Sequence, residues 1–264
     1  MMKSFLSIHS FHVLDYSPWP LFFSMSLMSF FVSFIAFFSM LDYYVLFLSV
    51  LVMLMNMINW FMDISLEGSF KGCHTVDVMN NMNIGYILFI LSEVFLFVSF
   101  FWSYICCSFI TDIELGCNWP PFGITTFSFM AIPFLNTIIL LCSGFTLTLS
   151  HHYLMNNNFK SSMYFMMLTI FLGLYFFFIQ LYEYYESLFN ITDCVYGSLF
   201  FFMTGFHGMH VFVGVIFLMV SLFRMNCFYY SSSHHKNFEF SSWYWHFVDV
   251  VWLFLYLVLY VWGS

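Results

Sequence analysis

The chain is divided into seven long apolar runs, and nearly every charged residue falls in the gaps between them. One run, Ile84–Tyr104, reads IGYILFILSEVFLFVSFFWSY and is long enough to cross a bilayer as an α-helix. Glu93 lies near its middle. A charged acid at the centre of such a helix costs roughly 2.5–3.5 kcal/mol on insertion scales. Glu93 must therefore be protonated, paired, or turned toward a polar cavity between helices. Desolvation favours the neutral acid. Two readings follow: a hydrogen-bonded link between helices, or part of a functional site.

Composition fixes the class. Hydrophobic residues make up 62% of the chain and charged ones 7%, a balance that a water-soluble surface of this size cannot accommodate. The expectation is one all-α, polytopic membrane domain over residues 1–264. Phe (42) and Met (20) dominate while Ala occurs only at Ala36 and Ala131, which hints at the T-rich codons of an organellar genome. A net charge of −8 with five basic residues argues against a nucleic-acid partner. The seven cysteines form no CxxC, and Cys106 and Cys107 fall inside an apolar run, so they read as small apolar side chains. The start, MMKSFLSIHSFH, matches neither a signal peptide nor an Arg-rich presequence, which suits a protein made inside the organelle.

The runs predict helices over roughly 21–41, 43–62, 84–110, 127–149, 163–182, 195–223 and 240–262. Pro18 and Pro20 suit an extended lead-in with Trp19 at headgroup level, and Pro133 suits a kink early in the fourth helix. His151–Lys160 reads as a polar loop, and Trp119–Pro121 as a rigid connection. An odd number of spans puts the termini on opposite sides. On that scheme Lys3, Lys71, Lys160, Arg224 and Lys236 all share the side of the N-terminus, which is therefore the side of synthesis. The opposite loops hold Asp42, Asp112, Glu114, Glu186 and Asp193 and no basic residue.

His207 and His210 are three apart on one helix and share a face. Two imidazoles could hold a metal or haem, but a catalytic metal usually needs a third protein ligand, and no HxH, CxxC or ExxH pattern supplies one. The other reading is a pair of histidines hydrogen-bonded between packed helices, with Gly205, Gly208 and Gly214 allowing close approach. Trp243-Tyr-Trp245-His246 reads as an interfacial anchor, with His246 and Asp249 spaced to neutralise each other. His9, His12, His74, His151, His152, His234 and His235 all fall on the basic side, where they would favour anionic headgroups.

Several long strings carry a resemblance that runs nearly end to end. They are SPWP at Ser17–Pro20, ILFILSE at Ile87–Glu93, NWPPFGI at Asn118–Ile124 and PFLNTIILLCSG at Pro133–Gly144, followed by His151-His152. GFHGMHVFVG at Gly205–Gly214 and WYWHFVDVVWLFLY at Trp243–Tyr256 are the most specific. The chain resembles cytochrome c oxidase subunit III.

That resemblance implies seven helices, with helices one and two separated from helices three to seven by a lipid-filled cleft. It implies no haem or copper on this chain, those being carried by the catalytic and copper-bearing subunits, with accessory subunits alongside. The family's helix-three acid falls on Glu93 and its paired helix-six histidines on His207 and His210. Its lipid-binding positions fall on Trp60, Glu67, His74 and Arg224, which implies bound anionic phospholipids. The expected location is the mitochondrial inner membrane, with the N-terminus in the matrix and the C-terminus in the intermembrane space. The family's arginines are replaced by Met62, Leu66 and Asn83, and a histidine by Cys73, with Lys71 nearby in sequence as partial compensation. The rival readings are the equivalent subunit of a quinol oxidase and an independent transporter or proton channel; against the latter stands the lack of an inverted repeat.

Overall fold

Backbone amides that enter a bilayer must bond within their own segment, so each apolar run is expected to close into a helix. The computed structural model describes residues 12, 14–40, 43–111, 116–232 and 234–263. Lys3, His9, Asp42, Asp112 and Glu114, which the charge sorting uses, lie outside the described residues. The helices are α1 (Trp19–Met40), α2 (Tyr43–Ser69), α3 (Val76–Phe109), α4 (Ile132–Met155), α5 (Phe159–Glu186), α6 (Val195–Asn226) and α7 (Lys236–Leu255). A π-helical turn, Tyr256–Val261, continues α7. Among the described residues there are seven helices long and apolar enough to cross a membrane, and no strand.

Most helices extend beyond their apolar runs. A terminal turn needs backbone bonds and a cap, not an apolar side chain. The Asn158 side chain accepts from the Ser161 amide and starts α5, and Cys194 Sγ accepts from the Gly197 amide and starts α6. The segment read as a polar loop from His151 is thus largely helical: α4 runs through both histidines to Met155. Likewise Glu183 lies inside α5, not after it. Pro133 does not kink the fourth helix. It stands in the first turn of α4, where its missing N–H has no helical partner to lose.

The chain divides into two compact units, Met1–Gly85 and Tyr86–Ser264. In the first, α1 packs on α2 through small polar residues: Ser33 and Ser49 meet at 2.6 Å, both buried. Phe23 lies against Trp60 with ring centroids 5.8 Å apart, and Ser17 Oγ donates to Asp63 Oδ2 at 3.0 Å. Long apolar side chains such as Phe31, Ile35 and Met55 point outward, as lipid-facing residues do.

The second unit has a true core built around Trp245 and Trp252 of α7, both fully buried. Trp245 reaches between α5 and α6 because each offers a glycine. A Cβ on Gly173 would run into the indole's Cη2, and one on Gly214 would fall 2.9 Å from its Cε3. Gly205 and Gly208 do not share this role: the nearest atom to a Cβ at Gly205 is 3.9 Å away, and at Gly208 nothing lies within 4 Å. Half of the Trp243–His246 segment, read as an interfacial anchor, is therefore core. Tyr244 and Trp245 are core residues, and Trp245 Nε1 donates to Ser143 Oγ of α4 at 2.9 Å. At one end of the unit, Trp119 donates to the Tyr104 hydroxyl at 3.1 Å and packs against Tyr196. All seven cysteines are free thiols.

Candidate functional site

Glu93 on α3 finds a partner on α6. Its Oε2 lies 2.9 Å from Nε2 of His210, and the two side chains are 23% and 9% exposed. The other ring nitrogen, Nδ1, lies 2.7 Å from the carbonyl oxygen of Phe206, one turn back on the same helix. A carbonyl oxygen only accepts, so Nδ1 carries a hydrogen and donates it. Nε2 then either bears a lone pair and accepts from a protonated Glu93, or bears a second hydrogen and donates to the carboxylate. Both arrangements place one proton between the two residues and leave the pair without net charge. This is how the helix tolerates an acid at membrane depth: the charge is shared out, not buried alone.

The walls of this site are aromatic. The Phe97 ring is 5.1 Å from the imidazole of His210, Tyr244 stacks on it at 6.3 Å, and Phe247 meets it edge-on. Such walls strengthen the hydrogen bond by keeping the local dielectric low.

His207 is not part of this pair. It is fully buried, and its Nε2 donates to the carbonyl of Val248 on α7 at 3.3 Å. Its ring packs on Phe176 and Trp252. The i, i+3 spacing gives the two histidines a common helix face, yet their rings serve different helices, one α3 and the other α7.

Two further acids are buried within helices of the second unit. Glu183 of α5 is fully buried and accepts from the Gln180 side chain at 3.0 Å. The available signal was the polar row Gln180, Glu183, Tyr184 directly after an apolar stretch. Asp249 of α7 is 7% exposed and lies against Gly144, where a Cβ would fall 2.7 Å from its Oδ2. Its distance from His246 Nδ1 is 3.9 Å, beyond hydrogen-bond reach, so the expected neutralising pair is only a loose electrostatic contact.

Comparison with known proteins shows the family. The family model described as cytochrome c oxidase subunit III matches residues 9–264. The chain belongs to the cytochrome c oxidase subunit III family. Relatives named cytochrome c oxidase subunit 3 include that of Aedes aegypti, 50% identical over 97% of this chain and 98% of the relative. That of Rhipicephalus sanguineus is 48% identical over 97% of this chain and all of the relative. That of Drosophila melanogaster is 47% identical over 98% of each.

The positions that the subunit III family suggests for lipid fall in both units. In the first, Trp60 and Glu67 are seven residues apart on α2 and therefore on one face, with Glu67 buried. His74 folds back onto the end of α2, where a Cβ on Gly68 would meet its Nδ1 at 2.6 Å, and its ring lies 6.0 Å from that of His12. Lys71 is already engaged: its Nζ is 2.9 Å from Asp15 Oδ2. The hydrogen bond holds the Asp15 carboxyl below, and the Lys71 ammonium above, their ordinary ranges. In the second unit Arg224 closes α6 with its guanidinium over the rings of Tyr229 and Tyr230, at 5.6 and 5.7 Å. Stacking of this kind fixes the plane of a guanidinium.

Proposed function

We propose that this chain is the third core subunit of a mitochondrial cytochrome c oxidase, the complex that reduces oxygen to water with electrons from cytochrome c. Haem and copper lie on its catalytic and copper-bearing partners. The chain itself steadies the catalytic subunit, holds anionic phospholipid and supports proton uptake. It sits in the inner membrane with its N-terminus in the matrix. The relatives' shared name and their end-to-end match support the oxidase reading over a quinol oxidase or an independent transporter.

The observation that carries the proton role is the Glu93–His210 hydrogen bond at 2.9 Å. A neutral pair that already shares a proton can take up another or give one away at a single site. Either change leaves a net charge in an apolar setting, so the pair returns readily to one proton. It is suited to buffering local proton supply, not to setting the rate of the chemistry. The lipid role rests on Trp60, Glu67 and His74 near one end of α2 and on the oriented guanidinium of Arg224.

Glu93→Gln in the assembled oxidase tests the reading. Glutamine keeps the shape and donates an N–H to His210 but carries no exchangeable acid proton. The complex should assemble normally, with oxygen consumption falling by less than about twofold near neutral pH and further in alkaline buffer, where protons are scarce. Unchanged consumption across the pH range removes the proton role and leaves the pair structural. Loss of nearly all consumption shows that Glu93 is part of the main proton path.

A further inference from the structure

Outside the Glu93 site, the second unit brings two histidines and a glutamate from distant parts of the chain to one point. His151 comes from the penultimate turn of α4, His235 from the residue before α7, and Glu239 from the first turn of α7. One ligand atom from each lies within 4.8 Å of the others. His151 Nε2 and His235 Nε2 are 3.2 Å apart, and His235 Nε2 and Glu239 Oε1 are 3.6 Å apart. Ligands held at about 2.0–2.2 Å around a tetrahedral zinc ion stand about 3.3–3.6 Å from one another. The two separations fall at the edges of that range.

The rings are also aimed. His235 Nδ1 donates to the carbonyl of Ser231 at 3.0 Å, which leaves a lone pair on Nε2, directed at His151. An outer hydrogen bond of this sort is the usual means of orienting a ligating imidazole. His235 is nearly buried, at 6% exposure. His151 is held flat on Phe238, with ring centroids 5.4 Å apart and planes 24° from parallel. Lys236 binds the other carboxylate oxygen of Glu239, Oε2, at 2.7 Å, so Oε1 remains turned toward His235.

We propose that His151, His235 and Glu239 form a binding site for a divalent transition-metal ion, with zinc as the best match to two imidazoles and one carboxylate. On binding, the proton between the two facing nitrogens is displaced and His151 takes the tautomer protonated at Nδ1. Three protein ligands leave a fourth position for water, so the ion exchanges with solution and is not locked in. Its effect is to staple the end of α4 to the start of α7. The loop between Asn226 and Lys236, which carries the two tyrosines under Arg224, is thereby fixed at its far end.

The test is zinc titration of the assembled oxidase after treatment with chelator, in the native form and with His235→Asn or Glu239→Gln. We expect the native complex to retain one more zinc equivalent than either variant, or to bind it at least tenfold more tightly. X-ray absorption at the zinc edge of that equivalent should show two imidazoles. Equal stoichiometry and affinity in all three forms overturn the site. Should His235→Asn fail to assemble, Glu239→Gln and one further measurement suffice. In the unaltered complex, zinc should protect His151 and His235 together from diethyl pyrocarbonate. Undiminished modification of both in saturating zinc overturns the proposal equally.

Discussion

The indole of Trp245 donates to the hydroxyl of Ser143 at 2.9 Å, and this one bond ties the centre of α7 to the centre of α4. The ring lies between Gly173 of α5 and Gly214 of α6, so four helices meet at a single side chain. The hydroxyl is itself held in place, since Ser143 Oγ also donates to the carbonyl of Leu140 at 2.7 Å.

Crowding at this point should be costly and local. Gly214→Ala places a methyl group 2.9 Å from Cε3 of Trp245 and should destabilise the purified chain by about 1–3 kcal/mol in thermal unfolding. Gly208→Ala on the same helix meets nothing within 4 Å and should leave stability unchanged or raise it by up to about 1 kcal/mol. Equal effects from the two substitutions are incompatible with this packing.

Carbodiimide chemistry reports on the shared proton at Glu93. The reagent attacks protonated carboxyls in apolar surroundings, and the Glu93 side chain is 23% exposed. Native protein should be modified at Glu93. His210→Leu removes the base that shares the proton, so the carboxyl keeps it and labelling should speed up several-fold. Identical rates in the two proteins would mean that the proton is not shared.

The sorting of basic residues to one side can be probed by topology. With seven spans among the described residues, a tag before Met1 and a tag after Ser264 should lie on opposite faces of the membrane. In mitoplasts, protease should remove the C-terminal tag and spare the N-terminal one. Protection of both tags contradicts the seven-span path.

Lipid retention should depend on how closely His74 lies on α2. Gly68→Ala sets a methyl group 2.6 Å from Nδ1 of His74 and forces the imidazole away, whereas Gly85→Ala meets nothing within 4 Å. Anionic phospholipid co-purifying with the complex should fall in the first variant and hold steady in the second. Mass-spectrometric lipid counts that fall in neither variant speak against His74 as a headgroup contact.

The membrane spans were legible because each is an unbroken apolar run, and Glu93 announced its need of a partner by interrupting one. The partner's identity was not legible. His207 and His210 look equivalent at i, i+3, and only the positions of α3 and α7 decide that one ring meets Glu93 and the other Val248. The same limit applies to Trp245, whose place in the core depends on glycines of two other helices. The approach of His151 to His235 was hidden for a simpler reason. Polar residues at a helix end resemble a loop, and His235 lies 84 positions further along the chain. Helix ends are set by caps and backbone bonds that apolar periodicity does not record.

The Phe206 carbonyl has a consequence for the direction in which protons can travel. An imidazole conducts when one nitrogen receives a proton as the other releases one. At His210 the second nitrogen is fastened to a helix carbonyl at 2.7 Å, an oxygen already inside its own helix and unable to pass a proton onward. Only Nε2 is open to exchange. A proton that reaches this site through Glu93 must therefore leave through Glu93, which makes the pair a cul-de-sac and not a conduit across the bilayer.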